Sequence, residues 1–348
     1  MVSLNNTAVV VSAQRPPVVG QLEAVFVGLD DSALLEALRG PSRRGPKGYP
    51  VETLWRCVIT RYVLGLESTA ALIRTLQNNP YIAHACGISS PAQVPSDPTF
   101  SRFFARLSKY RMASKLKDVS RALVRRCYAD IPGFGDRVAL DSTTLKAWSN
   151  GGKTPKADPE AGWSIKKGTQ GTREIVYGWK LHLLVDCETE LPIAANVSAG
   201  DVHDSKRASN LLREARFTQS NFGPKFVLAD QGYSGKPLFT LIRCQYNSEP
   251  IIQVNKAHKR LARSESQWSP EWTALYKQRQ SVERAFARLK GQRSLNHIRV
   301  RRLRKVTAHC YLSLIAMQAL RLIVSFSTHT LESSSLPESP KMLLIGQR

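Results

Sequence analysis

An α/β domain preceded by an all-helical region is the fold class that the sequence predicts, and three observations predict it. Before Pro132 the apolar residues recur at helical spacing with no strand-like run. After Pro132, short runs rich in Val, Ile, Leu and Ala alternate with helical segments. Two of those short runs end in an aspartate, Asp141 and Asp230, as strands that lead into a ligand site often do.

Length and composition set the frame. At 348 residues with 42% hydrophobic content the chain is long enough for two cores. The expected division is a loose leader over 1–25, a helical domain over 26–130, an α/β domain over 131–325 and a tail over 326–348. Fifty Lys and Arg against 27 Asp and Glu give a formal charge of +23, which implies a polyanionic partner, nucleic acid first. The imbalance is uneven: between Ser101 and Cys127 the only acid is Asp118, and between Arg284 and Leu331 there is none. No charged-then-apolar leader opens the chain, and the apolar run from Tyr311 to Phe326 is short and carries Gln318 and Arg321, so no membrane partner is expected and that run reads as a buried helix. The six cysteines are scattered with no metal-ligand or disulfide spacing, which points to a reducing cytoplasm.

Taken in order, Leu34 to Leu38, Val51 to Leu64 and Ser68 to Leu76 have helical apolar spacing, broken by Gly45, Gly48, Pro50 and the turn Asn78-Asn79-Pro80. In PSDPTFSRFFARLSKYR, Ser96 or Asp97 caps a helix with Pro98 in its first turn. Phe100, Phe103, Phe104 and Leu107 form its apolar face, leaving Arg102, Arg106 and Lys109 to point outward. Such a short basic helix after a turn could be the recognition helix of a helix-turn-helix unit, reading or gripping DNA, although taken alone it more readily reads as a solvated surface helix.

Arg137 to Leu140 then reads as a strand ending at Asp141. Ser149 to Thr172 reads as a polar loop carrying Lys153, Lys156, Lys166 and Lys167. Ile175 to Val185 and Leu191 to Val197 form a hairpin, and Asp204 to Glu214 a helix that Asp204 could cap. Lys225 to Ala229 is a strand ending at Asp230, Gly235 to Arg243 a helix, and Pro250 to Val254 a further strand. The closing stretch YKQRQSVERAFARLK places Tyr276, Arg279, Glu283 and Lys290 within roughly 60° of one another on a single helix, beside an apolar stripe of Leu275, Val282, Phe286 and Leu289.

A meander followed by crossovers can set the Asp230 strand parallel to the Asp141 strand and beside it, which is the ribonuclease H arrangement. Glu283 could then reach the two aspartates from a packed helix. Carboxylates gathered in this way repel one another and call for hard cations, Mg²⁺ or Mn²⁺, and two such ions suit phosphodiester chemistry. Taken singly, each acid has a plainer use: Asp141 and Asp230 as strand-ending turn caps, Glu283 as the i,i+4 partner of Arg279.

At these residues the sequence resembles bacterial insertion-sequence transposases of the DDE class, within the ribonuclease H and retroviral integrase superfamily. Tyr276, Arg279, Glu283 and Lys290 satisfy Y-x2-R-x3-E-x6-K, similar to the signature of the insertion-sequence classes four and five. LDSTTLKA from Leu140 and ADQGY from Ala229 resemble the stretches around the two aspartates, with YGWKLHLLVD and AGDVHDS as blocks between them. GYPVETLWRCVITRYVLGLES and SDPTFSRFFARL resemble the helical, DNA-binding domain that precedes the catalytic one, so the likeness spans about residues 30 to 320. Residues 231–282 are too few for the large β-rich insertion found there in some relatives.

The resemblance implies an enzyme that binds the terminal inverted repeats of its element, cleaves DNA with two Mg²⁺ or Mn²⁺ ions held by Asp141, Asp230 and Glu283, and joins 3′-hydroxyl ends to target DNA. It implies phosphate contacts for Tyr276, Arg279 and Lys290, and a homodimer on double-stranded DNA in the bacterial nucleoid. Arg102, Arg106 and Lys146 are further candidate DNA contacts, and His203, Asp204 and Tyr233 candidate supports of the site. A nuclease of the same fold, or an inactive protein that only grips DNA, would share the same charge pattern.

Overall fold

The computed structural model describes residues 16–39, 48–152, 158–167, 173–254 and 269–332, with the side chains of residues 166, 167 and 324–332 left aside. Helices α1 (Pro17–Gly28), α2 (Ser32–Arg39), α3 (Val51–Val63), α4 (Thr69–Asn78), α5 (Pro80–Ala85), α6 (Asp97–Leu107) and α7 (Tyr110–Asp130) come first. Prolines in the first turns of α1, α5 and α6 pre-set φ where no backbone donor is needed, and Ser68 caps α4 by accepting from the Ala71 amide. The expected apolar face of α6 holds, with Phe100, Phe103 and Leu107 buried. The leader expectation fails over residues 17–25: Val19, Leu22 and Val25, spaced three apart, bury one face of α1, and Pro16-Pro17 starts that helix instead of preventing it.

The second half builds one sheet. Strands β1 (Arg137–Lys146), β2 (Gly162–Lys167), β3 (Arg173–Asp186) and β4 (Pro192–Ala199) are followed by α8 (Ser205–Thr218), β5 (Phe226–Ala229), α9 (Lys236–Tyr246), β6 (Glu249–Ile252), α10 (Pro270–Lys277), α11 (Gln280–Gln292) and α12 (Leu303–Glu332). β3 lies antiparallel to β1 and β4, β1 pairs with β5 in parallel, and β5 with β6 in parallel. The meander with crossovers is therefore present, and with it the ribonuclease H-like order.

Three local expectations need correction. β1 does not end at Asp141 but continues through Ser142-Thr143-Thr144-Leu145-Lys146, whose β-branched residues pair with residues 178–182 of β3. Gly178 permits this pairing, since a Cβ there would stand 2.0 Å from the Leu145 carbonyl oxygen. The polar segment 149–172 contains β2, whose Trp163-Ser164-Ile165 alternation is masked by the following lysines. Finally, Tyr276 and Glu283 do not share one helix: the Gln278 and Arg279 amides bond back to Leu275 and Tyr276, a tightened turn that ends α10 and redirects the chain into α11.

Both halves share a single buried core. α12 is its axis, packed on α1, α3 and α7 from the helical side and on β4 from the sheet. Its stretch Leu303–Ile323 is long and apolar enough to cross a membrane, but 83% of the most apolar window is buried inside the protein. Gln318, the polar interruption of that run, is satisfied by accepting from Ser120 Oγ and donating to the Pro192 carbonyl at 2.8 Å. The helix runs to Glu332, past the expected boundary at 325.

A second seam joins the halves where α3 ends. Gly65 (φ 65°) abuts Gln292 at the end of α11, Arg293 donates to the Val63 carbonyl and Ser294 to that of Leu66. His309 of α12 lies between Tyr62 and Leu295: Nδ1 faces the Tyr62 hydroxyl at 2.8 Å and Nε2 the Leu295 carbonyl at 3.3 Å. A carbonyl can only accept, so the neutral Nε2-protonated tautomer fits, and burial pushes the imidazole pKa down to about 3.

Candidate active site

The register of the parallel pair sets two acids side by side. Leu140 of β1 faces Ala229 of β5, so Asp141 and Asp230 follow on adjacent strands at the point where β5 stops and β1 runs on. Asp141 is mostly enclosed, with a side-chain exposure of 23%. Burial raises its pKa to about 6, against the opposing pull of the Ser142 amide, and Asp230 and Asp204 push it further up. Asp230 is turned by its own chain, its Oδ1 accepting from the Gly232 amide at 2.9 Å in a short 3-10 turn.

Glu283 enters from the first turn of α11, and Arg279 links it to the strands. The guanidinium donates to Glu283 Oε1 at 2.8 Å and stands 3.8 Å from Asp141 Oδ2. Burial works against that charge, and Glu283, Tyr276 and Asp141 hold the Arg279 pKa up. Tyr276, stacked on Trp272 at a ring distance of 4.9 Å, feels both Asp230 and Glu283, and its pKa is raised chiefly by burial. Lys290, two turns beyond Glu283, points its amine at the Thr144 carbonyl of β1 at 3.4 Å. Arg279 and Lys290 thus reach the C-terminal half of β1, with Arg279 as the cation between Asp141 and Glu283.

A further acid stands behind this group. Asp204 does not cap α8; its Oδ1 pairs with Lys180 Nζ of β3 at 3.0 Å and lies 3.8 Å from His182 Nδ1. His182 is buried, its Nε2 against Ser198 Oγ at 2.8 Å and its Nδ1 without a hydrogen bond, and burial lowers its pKa to about 4. Tyr233 is also buried without a well-formed hydrogen bond, its pKa raised well above the usual value by burial and by Asp141, Asp204 and Asp230.

Of the residues singled out from sequence, Asp141, Asp230, Glu283, Tyr276, Arg279, Asp204 and Tyr233 gather here. His203 does not: it is exposed and bonds Ser205 Oγ at 2.9 Å. Lys146 ends β1 exposed. Arg102 is exposed on α6, while Arg106 is tied to the Leu38 carbonyl. Lys153 and Lys156 lie outside the described residues, as do the side chains of Lys166 and Lys167. Lys180 and His182 were not singled out, although both lie in the YGWKLHLLVD block, where a Lys and a His two apart on a strand share one face.

The donors are hard carboxylate oxygens, the class suited to Mg²⁺ or Mn²⁺. Among the described residues no three His, Cys, Asp or Glu side chains are drawn together closely enough to hold an ion. The enclosed Asp141, a carboxylate whose own surroundings disfavour its charge, and Arg279 serving as local counter-charge are what a cation would relieve, so the residues fit such a group.

The Transposase DDE domain family matches residues 132–318, more than half of the chain, and Transposase domain (DUF772) matches residues 18–106. The chain belongs to the DDE transposase family. A search of curated proteins found no match. Among solved structures, a piggyBac transposase synaptic complex with hairpin DNA aligns at 11% identity over 92% of this chain and 77% of that one, with a TM-score of 0.49. A Mos1 transposase paired-end complex aligns at 12% identity over 72% of this chain and 90% of that one, and a pre-cleavage Mos1 transpososome at 12% over 93% and 100%, each with a TM-score of 0.22. At these scores the likenesses add nothing to what the sheet order and the family match establish.

Proposed function

We propose that this transposase binds the terminal inverted repeats of an insertion sequence as a homodimer in the bacterial nucleoid, cleaves the DNA there and joins the 3′-hydroxyl ends to target DNA. The observation that carries the reading is the adjacency of Asp141 and Asp230 on parallel strands, with Glu283 linked to Asp141 through Arg279. Asp141, Asp230 and Glu283 would hold the divalent ions. Bound there, the ions would supply activation of the attacking hydroxyl and stabilisation of the leaving oxygen.

The chain's own residues do the rest. The Ser142 and Gly232 amides each donate to Oδ1, of Asp141 and Asp230 respectively, so neither amide takes the second oxygen of either carboxylate. Arg279 neutralises the cluster at rest and, with Tyr276 and Lys290 as the rest of the signature, offers a donor fork to a DNA phosphate. Lys180 holds Asp204 away from the cap position of α8 and toward the site.

The test is cleavage and strand transfer on a labelled duplex carrying the element's end, with Mg²⁺ or Mn²⁺. Asp230→Asn and Glu283→Ala should each lower cleavage by roughly a hundred- to a thousandfold while the end is still bound, by analogy with other charge-stabilising groups of active sites. Undiminished cleavage by both variants rejects the assignment.

A further inference from the structure

Away from the carboxylates, a cleft of about 510 Å³ opens between the helical region and the segment that joins α11 to α12. Its walls carry Arg61 of α3, Trp148 just beyond β1, and Arg299, Arg301 and Lys305, with Asp97 as the acid among them. The size is that of a site for a small organic group, ~300–1,000 Å³. Trp148 is 56% exposed and its ring is covered on one side by the Arg299 guanidinium, 5.6 Å from the ring centre. Among the described residues no salt bridge within 4 Å involves Arg301 or Lys305, and the Arg301 charge is felt by Asp158.

We propose that this cleft takes an unpaired DNA strand, with its phosphates on Arg301 and Lys305 and one base stacked on Trp148. The inference rests on the reading of the protein as a DNA-processing enzyme and adds a place for the strand beside the cut. Duplex DNA hides its base faces inside the stack, so an exposed ring with a guanidinium on one side suits a nucleotide that has left the stack. Trp148 follows Asp141 by seven residues along an extended segment, at most about 23 Å at ~3.3 Å per residue. At ~3.4 Å per nucleotide the stacked base lies within roughly seven nucleotides of the aspartates.

Binding without divalent ions tests this apart from catalysis. The probes are a labelled single strand and the blunt duplex of the same sequence, titrated over a range of salt. Arg301→Gln/Lys305→Gln should flatten the slope of log affinity against log salt for the single strand by about 1.4, at ~0.7 for each phosphate that is no longer neutralised. Trp148→Ala should weaken the single strand about tenfold with the slope unchanged and the duplex affinity retained, and Trp148→Phe should restore it. An unchanged slope in the double variant, or equal losses on both probes, overturns the proposal. Should the double variant prove unstable, Trp148→Ala against Trp148→Phe decides alone. Because no cleavage is read, failure of the Asp230 and Glu283 assignment would leave these outcomes untouched, and the reverse also holds.

Discussion

Asp141 holds the chemistry of the site in miniature, because its neighbours make its charge costly. Its carboxyl titrates at about 6 in the fold against an ordinary 3.8. Below about pH 4 both folded and unfolded chains keep the proton, and the residue costs nothing. As pH rises the unfolded chain ionises first, so native stability falls through the window between the two values, by roughly 3 kcal/mol at 1.36 kcal/mol per unit. Asp141→Asn should therefore raise Tm by roughly 3–5 °C near neutral pH in divalent-free buffer and leave it unchanged near pH 4, as calorimetry would read. Equal melting of the two proteins at neutral pH would mean that the site does not strain this carboxylate. That Asp141 would stand beside Asp230 on neighbouring strands was legible from the place of each after a short apolar run. The Lys180–Asp204–His182 group was not, because a residue on a middle strand of a sheet shows its partners only once the neighbouring strand is in register.

Elements carry a different kind of information. The strand order was readable from the succession of apolar runs, since each run was short and bounded by turn residues. The errors came where one signal hid another: lysines over β2, a continuous apolar stripe across the α10–α11 turn, paired prolines at the start of α1. The seam between α3 and α11 was invisible for a related reason, since nothing in the local sequence tells which distant backbone Gly65 will meet. That residue combines a left-handed φ with a Cβ position 2.7 Å from the Gln292 carbonyl oxygen. Gly65→Ala should destabilise the protein by about 2 kcal/mol or more, from the backbone strain together with the forced shift of α11. A denaturant midpoint equal to that of the parent protein would show that the seam yields freely.

At the scale of the whole molecule, composition alone pointed to a polyanion and the motifs to a family, while the length, enough for two cores, says nothing of how the two regions pack. One core runs through both, with α12 touching α1, α3, α7 and β4. Heating should give one cooperative transition, and a fragment over residues 131–325, stripped of α1, α3 and α7, should be recovered aggregated, with one face of α12 exposed. Two resolved transitions by calorimetry would contradict the shared core. The same axial helix also limits how such a protein can diversify. A helical region that completes the catalytic half's interior cannot be traded between relatives as an interchangeable reading head; a chimaera would have to match α12 on both sides at once. New DNA preferences would then have to arise by substitution on the outer surface, one side chain at a time, while the buried contacts stay fixed.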